Sequence, residues 1–125
     1  NESYSILFKS GGFESVSTSP FSRANGSRTN RFIAGAVLQP SLMGSVRNAL
    51  ETMQRLTTGP LFISGSLMGV AKFEFLNGGN YLKIANENVI ELAPLEIDAS
   101  ADLEKTVEPW MDTVANTFGA WKWAG

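Results

Sequence analysis

Residues 100–125 read "SADLEKTVEPWMDTVANTFGAWKWAG". Leu103, Val107, Trp110, Val114, Phe118 and Trp121 recur at steps of four, three, four, four and three, the spacing that lines one face of an α-helix. Pro109 falls inside the run without breaking the stripe, which predicts one long helix bent there or two abutting helices. Asp98, Asp102 and Glu104 stand near its start and Lys122 near its end, as the helix dipole favours. Trp123 alone falls off the stripe. A helix with one apolar face needs a surface to cover, and the preceding residues supply one.

That surface is a meander. "PLFISGSL" (60–67) and "GVAKFEFL" (69–76) read as strands, with Gly65 and Gly69 marking bulges or a tight connection. Phe73 and Phe75 share one face while Lys72 and Glu74 share the other, the pattern of a half-buried antiparallel strand. "NGGN" (77–80) is a hairpin turn, since Asn and Gly tolerate positive φ. "YLKIA" (81–85), a turn at Asn86-Glu87-Asn88 and "VIELAPLEI" (89–97) follow, and Pro94 sends that last strand to an edge or breaks it.

The first half is plainer. "SYSILFKS" gives a strand from Tyr4 to Lys9, and "RFIAGAVLQP" a second ending at Pro40. Between them residues 11–30, rich in Gly, Ser, Thr, Asn and Arg, form a long loop or a ragged edge hairpin with Phe13 and Val16 turned inward. Leu42, Val46, Leu50, Met53 and Leu56 then mark a helix capped by Ser41 and stopped at Gly59-Pro60. Arg47, Glu51 and Arg55 follow at four-residue steps on another face of it, a ladder adding about 0.2–0.5 kcal/mol per pair.

These elements make an α+β domain spanning residues 1–125, in the order ββα-ββββα. Its sheet is mostly antiparallel, with a mid-chain helix, a long C-terminal helix packed on the sheet, and a polar Arg-bearing loop at about 11–30. No internal repeat is visible. In outline, a curled sheet whose last meander leads into a C-terminal helix is similar to several small single-stranded nucleic-acid-binding folds, the Whirly type among them. The likeness covers roughly the second half and rests on no shared motif, so no family is claimed.

Composition removes much chemistry. The 125 residues include no Cys and no His, which excludes thiolate nucleophiles, Cys/His zinc sites and imidazole acid–base catalysis. No apolar run approaches the roughly 18 residues of a membrane span. The Gly-containing stretches "SGGFES" and "SGSLMGVAK" lack the phosphate-loop ending and the dinucleotide fingerprint. "DASAD" (98–102) lacks the calcium-loop pattern. Glu87, Glu91 and Glu96 beside the last strand, with Glu104 and Glu108 on the helix, leave a carboxylate-dependent hydrolase as a third choice. The expectation is a non-enzymatic protein without cofactor, metal or membrane partner, its compartment left open.

Charge is more informative than motif. Residues 1–55 hold six cations against three acids, +3, while residues 56–125 hold four lysines against nine acids, −5. Within "SPFSRANGSRTNRF" (19–32) stand Arg23, Arg28 and Arg31 with no acid between them. Guanidinium groups bind phosphates and stack on bases, and nearby phenylalanines could add stacking. The first expectation is therefore single-stranded nucleic acid, DNA or RNA, contacted by Lys9, Phe13, Phe21, Arg23, Arg28 and Arg31. An overall pI of about 5.1 counts against it. The alternative is a self-assembling structural subunit, such as a coat or tube protein of a virion. There a basic N-terminal half meets the acidic C-terminal half of the next copy, a head-to-tail homo-oligomer. Arg47, Arg55 and Trp123 are its interface candidates.

Overall fold

The computed structural model describes residues 5–10, 13–17, 21–22, 32–55, 61–71, 73–82, 88–97, 100 and 102–124, with the side chains of 5–22 and of Tyr81 left aside. In chain order the elements are β1 (Ser5–Ser10), β2 (Phe13–Ser17), β3 (Phe21–Ser22), β4 (Phe32–Ala34), α1 (Gly35–Met53), β5 (Leu61–Met68), β6 (Glu74–Asn77), β7 (Asn80–Leu82), β8 (Val89–Ile97) and α2 (Leu103–Thr117). The α+β class is as expected, but the order is ββββα-ββββα. β3 and β4 are two and three residues long, too short to leave a readable period-2 pattern, so this repeated element order is invisible in the sequence.

Two four-stranded sheets result, each drawing on both halves of the chain. The first runs β2-β1-β5-β8 and is antiparallel throughout. The second runs β3-β4-β6-β7, with one parallel pair, β4 with β6, at its centre. α1 touches strands of both sheets, and α2 packs on α1 and on β8. The core is built where these meet, from Ile33, Leu38, Leu42, Val46, Ile63, Leu67, Phe75, Trp110, Met111 and Val114 among others.

Helix α1 corrects the reading of residues 35–40. The chain leaves the sheet after Ala34, and Pro40 sits inside the helix rather than at a strand end. Gly35, Leu38, Leu42, Val46, Ala49 and Met53 are all buried, so the apolar stripe begins two turns earlier than Ser41. Proline denies the Ala36 carbonyl its helical donor, but Ala36 and Pro40 are both exposed, where water can take that bond. Burial of the stripe outweighs the lost bond. The helix also ends sooner, at Met53 with Gln54 as its cap; Leu56, Gly59 and Pro60 lie outside the described residues.

Helix α2 starts as expected. The Asp102 carboxylate accepts from the Lys105 amide at 3.3 Å and its carbonyl from the Thr106 hydroxyl at 2.7 Å, a cap of about 1 kcal/mol. The helix passes through Pro109 unbroken. Its end is where the pattern fails. Gly119 adopts φ 94; its amide donates to the Asn116 carbonyl at 2.9 Å and the Ala120 amide to the Ala115 carbonyl at 2.9 Å. This glycine-terminated Schellman motif reverses the chain, so Trp121 leaves the stripe.

In the stretch read as loop or ragged hairpin, β2 forms a hairpin arm on β1, pairing Ser10 with Phe13 and Leu7 with Val16. The side chains of Phe13 and Val16, expected to turn inward, lie outside what is described.

Candidate functional site

The arginine-bearing stretch lies in the sequence between two strands of the second sheet. β3 pairs with β4 through Phe21–Ile33 and Ser22–Phe32, so residues 23–31, "RANGSRTNR", connect two paired strands. The last pair sets the flanking residues Ser22 and Phe32 at adjacent positions about 5 Å apart. Arg23 follows one partner and Arg31 precedes the other. Arg23, Arg28 and Arg31 themselves lie outside the described residues. Lys9 and Phe13 stand elsewhere, in the first sheet, where Lys9 pairs with Glu14 on one side and Ser64 on the other. Of the six expected contacts, Lys9 and Phe13 thus stand on strands of the first sheet and Phe21 on a strand of the second.

The outer face of the first sheet has an opposite character. Along β5, Leu61, Ile63, Gly65 and Leu67 are buried, while Phe62 is 58% exposed and Met68 is also exposed. β8 pairs Glu96 with Phe62, Glu91 with Ser66 and Val89 with Met68. The Ser66 hydroxyl donates to Glu91 Oε2 at 3.0 Å. Five residues separate Glu91 from Glu96, an odd number that would place them on opposite faces of a regular strand. They share this face because the register slips between Ile63 and Gly65, leaving β8 one residue longer at Ala93–Pro94. Pro94 has no amide to donate and fits there, and β8 is an edge strand as expected. From the inner side the Trp110 indole donates to the Ala93 carbonyl at 2.7 Å. The described part of this face carries two carboxylates and no described cation.

The two terminal tryptophans exchange the places expected of them. Trp123, the interface candidate, is 8% exposed and belongs to the core; Trp121, the expected core residue, is 88% exposed. The Trp123 ring lies 6.0 Å from Phe75 between centroids and rests on Gly35, where a Cβ would overlap it. Its amide donates to Asp112 Oδ1 at 2.8 Å, while its indole nitrogen is buried without a partner. Buried Asn77, at the end of β6, grips the same tail. Its Nδ2 donates to the Lys122 carbonyl at 3.2 Å, and its Oδ1 accepts from the Ala124 amide at 2.9 Å. Asn116 Nδ2 donates to the carbonyls of Ala120 and Trp121 at 2.9 and 2.7 Å. Sequence reasoning took Asn77 only as a turn residue and passed over Asp112 and Asn116; the stop signal at Gly119 was the clue to all three.

The remaining candidates are dispersed. Arg47 and Glu51 are exposed on α1, where solvent screening leaves an ion pair little to add, and exposed Arg55 lies beyond the end of the helix, so the expected ladder is cut short. Glu104 and Glu108 are exposed on α2, away from the face holding Glu91 and Glu96. Among the described residues no group of three or more Asp or Glu side chains converges to hold a metal ion, and no helix there is long and apolar enough to cross a membrane. No family model, curated protein or solved structure matches the chain.

Proposed function

We propose that this chain is a non-enzymatic protein that binds single-stranded nucleic acid through the arginine-bearing connection of β3 and β4. The observation that carries the reading is the Ser22–Phe32 pair. It joins the two strands that flank a nine-residue stretch of sequence with three cations and no acid. Phosphate neutralisation then supplies the affinity, with the Asn, Ser and Thr of the segment as neutral donors. Three phosphate contacts on a single strand give a salt slope of about −2 in log units, an affinity loss of about 20-fold between 50 and 200 mM salt. Anisotropy titration of a labelled mixed-sequence oligonucleotide tests this. Binding by the wild type, lost in the triple variant R23A/R28A/R31A at an unchanged melting temperature, supports the reading. Binding that survives in that variant, or ignores salt, overturns it.

A second reading, assembly with further copies, is favoured by the outer face of the first sheet. Phe62, Met68 and Val89 are exposed beside Glu91 and Glu96, a mixed apolar and acidic surface suited to a basic region of a neighbouring copy. Light scattering after size-exclusion chromatography tests it. A discrete large species without nucleic acid, dissociated by E91K/E96K, supports assembly; a monomer at all concentrations refutes it.

A further inference from the structure

We propose that Trp121 is a platform on which a nucleobase stacks, with Lys122 contacting the adjoining phosphate; this rests on the single-strand reading above and adds a second contact to it. Tryptophan is on average among the more buried residues, yet here its side chain is 88% exposed on a main chain that is held at every step. The Ala120 amide is bonded to Ala115, the Ala120 and Trp121 carbonyls to Asn116, the Lys122 carbonyl to Asn77, the Trp123 amide to Asp112 and the Ala124 amide to Asn77. Seating the Trp123 ring accounts for the last bonds of this series. It does not account for Asn116, which fixes the chain beneath Trp121. The outcome is a rigid base carrying a free aromatic surface, so little ordering remains to oppose stacking. Lys122, the next residue, is exposed too. An aromatic plane beside a cation is the pairing that single strands require, with every base offering a π-face.

Topology fastens this platform to the second sheet. Asn77, which grips the tail, ends β6, and β6 pairs with β4, the strand that follows the arginine-bearing segment in the sequence.

Trp110 and Trp123 are buried, so exposed-indole emission reports Trp121 alone. The test titrates the full chain with a mixed-sequence single-stranded oligonucleotide, following tryptophan fluorescence and anisotropy together. The expected result is quenching of the red-edge emission in step with binding. W121A should bind about 5- to 150-fold more weakly, W121F should recover part of that loss, and K122A should make the salt slope shallower by about 0.7. Wild-type binding with unchanged emission and equal affinity in W121A overturns the platform and leaves the arginine reading intact. No binding by the wild type overturns both. A loss of self-association in W121A with nucleic-acid affinity unchanged makes the indole a protein contact and overturns the proposal as well.

Discussion

Gly35 and Trp123 should behave as one structural unit, and a single methyl group tests this. Gly35 opens α1 and is buried; a Cβ there would overlap the Trp123 ring and come 2.9 Å from the Leu76 carbonyl oxygen. Gly35 does not have positive φ, so an alanine would meet no backbone strain, and helix propensity alone would make Gly35→Ala stabilising by up to about 1 kcal/mol. Expelling the indole opposes this. A buried tryptophan truncated to alanine costs about 3–5 kcal/mol, so G35A should destabilise by about 2–4 kcal/mol. W123A should cost the full 3–5 kcal/mol, and the double variant less than the sum of the two, because the ring the methyl group would displace is already gone and only its approach to the Leu76 carbonyl remains. Urea unfolding followed by far-ultraviolet circular dichroism gives the three values on one scale. A neutral or stabilised G35A, or additive losses in the double variant, would refute the docking of Trp123 on α1.

Three further outcomes follow from single contacts. Trp110→Phe should cost about 2–3 kcal/mol in urea unfolding, about 1 for the hydrogen bond to the Ala93 carbonyl and the rest for lost ring volume. Asn77→Asp keeps the shape but removes the donor to the Lys122 carbonyl and turns a buried carboxylate towards it; a loss of about 1–3 kcal/mol and faster proteolysis of the tail are expected. Gly119→Ala has open space around its Cβ, yet φ 94 remains, so about 1–2 kcal/mol of backbone strain should lower the melting temperature; no change would mean that the chain reversal is not held by that glycine.

Long buried elements were readable in the sequence because their burial writes a period. Leu103, Val107, Trp110, Val114 and Phe118 gave α2, and Leu61, Ile63, Gly65 and Leu67 alternate as β5 requires. Readings failed where a local rule met a stronger tertiary demand. Pro40 looked like a strand end, but Leu38 and Leu42 on either side of it are fully buried in one helical stripe. Trp121 fitted helical spacing, but Gly119 had already turned the chain. Trp123 looked peripheral because its seat is made by Gly35 and Phe75, residues some 50 to 90 positions earlier whose proximity no local pattern records. The shared face of Glu91 and Glu96 depends on a bulge at Ala93–Pro94. Only Pro94 hinted at that. The arginine cluster was legible as composition, while the pairing that closes its base needed the register of a two-residue strand.

The acidic balance of the chain bears less on nucleic-acid binding than its pI implies. A polyanion responds to the local potential, and at physiological ionic strength charges act over a screening length of about 8 Å. Glu91 and Glu96 lie on the outer face of the first sheet, and Glu104 and Glu108 on the exposed side of α2. The arginine segment opens from β3 and β4 of the second sheet, and the Trp121–Lys122 tail is fastened to β6 of that same sheet. The described carboxylate pair thus stands on the first sheet, with Lys9, Phe13 and exposed Phe62, while the Trp121–Lys122 tail is fastened to the second, which carries Glu74. A bound strand and a neighbouring protein chain need not compete for one surface under this division. The acidic face would instead repel the phosphates and direct them to the second sheet, an orienting effect that grows as salt is lowered and the screening length lengthens.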